Sequence, residues 1–382
     1  MIPLAVPNLD GNERKYLNEC IDTTFVSSVG EFVTRLEKTG AEICGARYGV
    51  ATSSGTTGLH IALVGAGVKP GDLVIIPTFT FIATANAVAH AGAVPWLMDI
   101  SADDWTLDAA KLADEIAAHC RKEGERLIHR ETGRPVTALM PVYTLGNVAD
   151  METLGKIAAE YNLTLIADAA AAIGATYRGK PIGKLAKLTV LSFNGNKTVT
   201  AGGGGMVLGD DERLLKRIKH LSTTARVTAA YDHDEVGYNY RLTNLQAAVA
   251  CAQMERLDSF LERKRYVREF YRRELASIPG IEFFPAPEGQ ESACWFSGIV
   301  LTQGDGERAR DICAKLGERG IEARSFWKPV HLQKPYAHAV KSESLSVAEN
   351  LWSRIVTLPC STGISDAELD EVAAAVKEVL RQ

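Results

Sequence analysis

Two residues in this chain have side chains suited to carbonyl chemistry and are placed to meet: Asp168 and Lys197. Asp168 ends the apolar run Leu163-Thr164-Leu165-Ile166-Ala167 and is followed by the alanines 169–172. The C-terminal end of a buried strand is where ligands bind in open α/β sheets. Taken alone, such an acid is as readily a helix cap or half of an ion pair. Lys197 closes Ser192-Phe193-Asn194-Gly195-Asn196, just after another apolar run, and precedes the glycines 202–205. A pocket lysine with a lowered pKa forms a Schiff base with an aldehyde, and consecutive glycines let backbone approach a ligand closely. A lone loop lysine does neither. An acid beside such a lysine matches the needs of pyridoxal 5'-phosphate, whose ring nitrogen stays charged when it faces a carboxylate.

Two further segments fit the same ligand. Ser53-Ser54-Gly55-Thr56-Thr57-Gly58 follows a predicted strand and opens a predicted helix. Free amides and hydroxyls at a helix start bind phosphate, although an ordinary Ser/Thr cap has the same appearance. Pro77-Thr78-Phe79-Thr80-Phe81 ends another strand, where an aromatic can stack on a pyridine ring or simply pack in the core. Each signal is weak alone. Their joint order in one chain, phosphate loop, aromatic, acid, lysine and glycine run, is the argument.

The elements that must position these residues alternate. Strands are predicted at Tyr48–Thr52, Leu73–Pro77, Val94–Met98, Ala138–Val142, Leu163–Ala167 and Leu188–Phe193, with helices between them. Continuous apolar strands separated by helices predict an α/β fold with a mostly parallel sheet covered on both faces. Asn244–Arg273 has helical spacing and is expected to bridge a large domain, 1–245, to a smaller C-terminal α/β domain, 246–382. Within the latter, Ser297–Leu301 and Ile321–Phe326 are predicted strands, and Arg308–Gly317 and Asp366–Leu380 predicted helices.

Composition narrows the function. The 382 residues are 46% hydrophobic and 23% charged, with a net charge of −5, which argues against a nucleic-acid-binding surface. Seven scattered cysteines without CxxC spacing favour reduced thiols over disulfides or a metal site. The N-terminus lacks signal-peptide character, and no run is long enough to span a membrane. A cytoplasmic protein is the expectation.

Read with Pro70-Gly71-Asp72, Asp168-Ala169-Ala170, Ser192-Phe193 with Lys197, and Gly237-Tyr238-Asn239-Tyr240-Arg241-Leu242-Thr243, the chain resembles the DegT family of PLP-dependent sugar aminotransferases, which have the fold-type-I, aspartate aminotransferase-like architecture. The segments 7–9, 25–30, 192–197 and 358–363 are similar to its 4-aminotransferases of bacillosamine and legionaminic acid synthesis. The resemblance implies transfer of the amino group of L-glutamate to the 4-keto carbon of a UDP- or GDP-linked 2-acetamido-2,6-dideoxy-4-ketohexose, the cofactor passing through pyridoxamine 5'-phosphate. It implies that Lys197 bears the cofactor and shuttles a proton, that Asp168 pairs with the ring nitrogen, and that Gly55, Thr56, Thr57 and Ser192 hold the phosphate. Phe81 would stack on the ring and Asn194 help orient it. Asn239 would reach the phosphate of a neighbouring subunit, so a homodimer with shared active sites is implied. Phe25, Ser28, Phe326, Lys328 and His331 are candidate substrate contacts.

The match breaks at Ala171, where family members usually carry Gln, His or Glu close to the cofactor ring, and at Ala167, often Glu. Alanine cannot hydrogen-bond through its side chain, so Asn194, Asn196 or water is left to orient the ring. This departure is what favours a rival reading, a PLP-binding regulatory protein with weak catalysis. Transfer to a 3-keto sugar nucleotide is another. A same-fold dehydratase carries His where Lys197 stands. A nicotinamide dehydrogenase is disfavoured because Gly65-Ala66-Gly67-Val68-Lys69-Pro70 follows a helix and ends in proline.

Overall fold

The computed structural model describes residues 1–304 and 306–381. Helices α1 (Glu13–Asp22) and α2 (Glu31–Ile43) lead into β1 (Tyr48–Thr52), α3 (Gly55–Gly65), β2 (Leu73–Pro77), α4 (Ala83–His90) and β3 (Val94–Met98). Then come α5 (Ala109–His119), β4 (Cys120–Glu123), β5 (Arg126–His129), β6 (Pro135–Leu139), α6 (Met151–Glu160) and β7 (Thr164–Asp168). Short β8 (Thr176–Tyr177) and β9 (Lys180–Pro181) precede β10 (Leu188–Ser192), β11 (Gly205–Gly209), α7 (Glu212–Ser222) and α8 (Asn244–Met254). The chain ends with α9 (Leu257–Leu275), β12 (Ile281–Phe283), β13 (Gln290–Glu291), β14 (Ser297–Leu301), α10 (Gly306–Glu318), β15 (Val340–Lys341), α11 (Ser346–Leu351), β16 (Ile355–Leu358) and α12 (Asp366–Arg381).

The main sheet runs β1-β11-β10-β7-β6-β2-β3-β15, with the β4–β5 hairpin joined to β6. From β10 to β15 every pairing on this path is parallel; β11 runs antiparallel to both β10 and β1. The fold is therefore α/β with a mostly parallel sheet, as the apolar strands predict. Leu73, Val74, Ile75 and Ile76 of β2 are all fully buried. Alternate residues pack on opposite faces: Leu73 and Ile75 face one core, Val74 and Ile76 another, which is why the strand shows no polar alternation.

A second sheet, β12-β14-β16, is antiparallel and packs with α9, α10 and α12 around Ile299, Val356, Leu316 and Val376. Ile2, Leu4, Phe79, Trp105, Leu145 and Ala171, from much earlier in the chain, join this core.

Three expectations change. The long helix is two: α8 stops at Met254 and α9 restarts at Leu257, with Arg256 in a non-helical conformation. No strand forms over Ile321–Phe326, where only isolated bridges Ile2↔Ile321 and Arg324↔Thr357 form. The strand expected over Ala138–Val142 lies at Pro135–Leu139, and Val142 makes only a single bridge to Asp168. Among the described residues, no helix is long and apolar enough to cross a membrane.

Candidate active site

The C-terminal ends of β2, β7 and β10 and the start of α3 meet around a cavity of about 300 Å³, at the small end of small-molecule sites. Gly55, Thr56, Phe81, Asp168, Ser192, Asn194 and Lys197 all line it. The structure thus gathers residues that are up to 142 positions apart in sequence, from Gly55 to Lys197.

Asp168 is 4% exposed. Its Oδ2 accepts a hydrogen bond from Thr84 Oγ1 at 2.7 Å and its Oδ1 one from the Ala170 amide at 3.1 Å. Its own amide donates to Pro141 O and its carbonyl accepts from the Tyr143 amide, both at 2.9 Å. Burial raises the carboxyl's pKa; the two hydrogen bonds and the charge of Lys197 pull it back only in part. A cation placed against it would restore the ionised form.

Lys197 shares this apolar pocket. Burial pushes its pKa down to about 7, with Asp168 opposing the shift. Both side chains line the same cavity, Asp168 from the end of β7 and Lys197 from the loop after β10. The loop carrying the lysine is pinned at both ends, Phe193 N to Gly204 O and Ala201 N to Phe193 O, each 2.9 Å. Gly204, at φ +105°, needs the freedom only glycine has.

The start of α3 is a capping box: the Thr57 amide donates to Ser54 Oγ at 3.1 Å, and Thr57 Oγ1 receives the Ser54 amide at 3.0 Å. It lies against β10 and β11 so tightly that a Cβ on Gly55 would come within 2.9 Å of Ser192 Cβ. The first amides of a helix have no intrahelical partner; here the cap takes that of Thr57, and those of Gly55 and Thr56 stand beside the hydroxyls of Thr56 and Ser192 on the cavity wall. That is an anion cradle.

These features fit pyridoxal phosphate: the cradle for the phosphate, buried Asp168 for the ring nitrogen, Lys197 for the aldehyde carbon, and Phe81, half exposed at 55%, for the ring face. Ala171 lines the cavity as the sequence warned, and Asn194 Nδ2 and Asn196 Oδ1 lie beside it, 3.4 Å apart.

Other expected site residues lie elsewhere. The Thr57 hydroxyl is engaged in the cap, and Thr57 is off the cavity wall. Asn239 is exposed, accepting from Arg241 Nε at 3.1 Å. Phe25 and Ser28 sit in a loop held by Asn244, whose amide donates to Ser27 O and whose Nδ2 donates to Phe25 O. Phe326 is buried behind Phe79, and Lys328 is exposed. His331 has both ring nitrogens engaged, Nδ1 with Thr78 Oγ1 at 2.6 Å and Nε2 with Glu349 at 2.9 Å. None of these seven lines the cavity.

The sequence reading missed Thr84, Tyr143, Trp295 and Trp327, all on the cavity wall. Thr84 was recoverable, one helical turn after the Phe81 segment. The two tryptophans arrive from the C-terminal sheet and its connections, where no motif marks them. Outside the cavity, His220, Asp234 and Glu235 converge at the surface, but Asp234 is paired with His220 and Glu235 with Arg217.

The model of the DegT/DnrJ/EryC1/StrS aminotransferase family matches residues 7–377. The GDP-perosamine synthase of Caulobacter vibrioides is 39% identical over 99% of this chain and 98% of its own length. The GDP-perosamine synthase of Vibrio cholerae is 35% identical, again over 99% and 98%. Among solved structures, a DegT DnrJ EryC1 StrS aminotransferase from Brucella abortus superposes with a TM-score of 0.88 at 27% identity, covering 97% of this chain and 96% of that one.

Proposed function

This chain belongs to the DegT/DnrJ/EryC1/StrS aminotransferase family, and from that premise we propose that it moves the amino group of glutamate onto the 4-keto carbon of a UDP- or GDP-linked 2-acetamido-2,6-dideoxy-4-ketohexose. The coarser statement needs no proposal: it is a PLP-dependent aminotransferase acting on sugar nucleotides. The observation that carries the assignment of residues is the buried Asp168–Lys197 pair across one cavity from the α3 cradle.

Pyridoxal phosphate, when bound, supplies an aldehyde that accepts the amino group and a ring that draws electrons from the carbon losing its proton. The protein's part is to hold and to move protons. Asp168, kept dry and oriented by Thr84 and Ala170, supplies the negative charge that holds the ring nitrogen protonated. Lys197, its pKa lowered by burial to about 7, has a population of free amine at pH 7 that can attack a carbonyl carbon. Once released it is a general base beside the donor carbon. Glutamate and the keto sugar use this amine in turn, in two half-reactions that run in opposite senses.

A homodimer with Asn239 reaching the neighbour's phosphate completes the proposal. Its support is that Asn239 is exposed and off the wall of its own cavity, and that the loops on either side of the site carry exposed apolar side chains, Phe25 at 53%, Val29 at 65%, Tyr231 at 72% and Val236 at 86%.

The relatives named GDP-perosamine synthase favour a second reading of the acceptor: a GDP-linked 4-keto sugar without the acetamido group. Incubation with glutamate and a panel of 4-keto sugar nucleotides, UDP or GDP, with or without the 2-acetamido group, decides. Mass spectrometry of the aminated product and release of 2-oxoglutarate are the readouts. Turnover only of the GDP sugar lacking the acetamido group replaces the first reading with the second.

A further inference from the structure

Trp295 stands at the entrance to β14, 3% exposed, on the wall of the cavity. Its indole Nε1 donates to Asn196 O, the residue before the lysine, at 2.7 Å. The face of the same ring lies 3.5 Å from Lys197 Nζ, measured to the centroid. Its amide donates to Leu145 O at 3.0 Å. Its carbonyl accepts from Lys264 Nζ at 2.8 Å, and the same ammonium also donates to Cys360 O at 2.6 Å. Lys264 is itself 3% exposed. The Trp295 backbone is therefore fixed by α9 and by the 143–146 turn, and its indole is bonded to the lysine loop through Nε1.

From this juxtaposition we infer that Trp295 is a positioning residue for Lys197, its ring face being the place where the protonated amine rests when it is not bonded to cofactor. The inference builds on the reading of Lys197 as the cofactor-bearing residue. An aromatic face attracts an ammonium through its quadrupole and has no such attraction for a neutral amine. Proton and position are thereby coupled: the charged amine is held against the indole, and loss of the proton frees it to move. The tether from Nε1 to Asn196 O keeps ring and amine in register meanwhile. The other titratable groups facing this amine are Asp168 from β7, Tyr143 after β6 and Lys264 from α9, and all remain in the variants below.

The test reads the amine itself. Full-length protein stripped of cofactor is labelled with trace acetic anhydride across pH, and acetylation of Lys197 is followed by peptide mass spectrometry. The plateau at high pH reports access to the neutral amine; the midpoint reports preference for the ammonium. Trp295→Leu keeps the site apolar but removes the ring. Its midpoint moves to lower pH, so that below the midpoint and after scaling to the plateau, Lys197 labels about 3- to 20-fold faster. Trp295→Phe keeps a face without the Nε1 donor, and its midpoint moves less. An unchanged or raised midpoint in Trp295→Leu overturns the inference, as does a larger shift in Trp295→Phe. If Trp295→Leu does not fold, the Trp295→Phe and parent midpoints decide, identical values counting against the role. Failure of the underlying reading shows separately, as cofactor attached to a lysine other than Lys197.

Discussion

Lys197 and Asp168 make opposite demands of one dry pocket. Burial disfavours the charged form of each, and a pyridinium bound against Asp168 would restore the charge of the acid. For the amine, the lowered value means that its reactive form appears as pH rises through about 7 rather than the ordinary 10.5. The rate of cofactor capture by stripped protein should follow that rise, with a midpoint near 7; a midpoint near 10 would show the pocket to be wet. Linkage has the same origin. Between these two values the unfolded chain holds more protons than the folded one, so this residue's contribution makes stripped protein more stable with rising pH. Lys197→Ala should bind pyridoxamine phosphate yet show no measurable turnover by 2-oxoglutarate release. Asp168→Asn keeps the shape but removes the charge, and should lower kcat by at least ~10²-fold, about 3 kcal/mol of barrier, without large loss of secondary structure by circular dichroism. The pair was legible in the sequence because Asp168 ends one apolar run and Lys197 follows another within a few residues, ahead of the glycine run. Trp295 was not, because its contact with Lys197 spans 98 positions and depends on how β14 docks.

At the scale of elements, the cradle depends on α3 lying directly on β10 and β11. A Cβ at Gly205 would meet Gly55 N, Leu191 O and Ser54 C, each at 2.7 Å, all of them backbone. Gly205→Ala must therefore lift α3 from the sheet, destabilising the protein by about 1–3 kcal/mol and weakening phosphate binding. Thermal melting and titration with pyridoxamine phosphate measure both, and an unaltered affinity would separate the cradle from the cofactor. Farther along α3, buried His60 bonds Tyr240 OH through Nδ1 at 3.0 Å, while its Nε2 has no hydrogen-bond partner among the described residues. Burial first, then the neighbouring His90, lower its pKa to about 4. Since the folded value lies below the unfolded one, stability is intact above pH 6.5 and falls as pH drops toward 4, by about 1–3 kcal/mol. His60→Gln should flatten that part of the urea-unfolding profile. The parallel strands were readable because β2 and β7 are buried on both faces and carry unbroken apolar runs. The break at Arg256 was not, since Leu257 and Phe260 continue the helical spacing across it, and the 321–326 segment looked like a strand although only single bridges form there.

At the scale of the molecule, the cavity is closed by parts from both sheets: Phe81 from beyond β2, and Trp295 and Trp327 from the C-terminal half. No local pattern announces such a wall, which explains why Gly55, Asp168 and Lys197 could be gathered from their strand ends and the two tryptophans could not. Phe326, Lys328 and His331 were sought near the correct segment, but the structure turns Trp327, between them, onto the wall. The proposed dimer gives a prediction of its own kind. If Asn239 serves the neighbour's site, Lys197→Ala and Asn239→Ala homodimers, each impaired, should regain up to about a quarter of parental activity after mixing and subunit exchange; additive residual activities would argue for self-contained protomers. Everything at the three scales converges on which nitrogen holds the cofactor. Borohydride reduction of the reconstituted protein, followed by digestion and peptide mass mapping, should place the pyridoxyl group on the peptide containing Asn196-Lys197-Thr198, whereas a label on any other lysine contradicts the account.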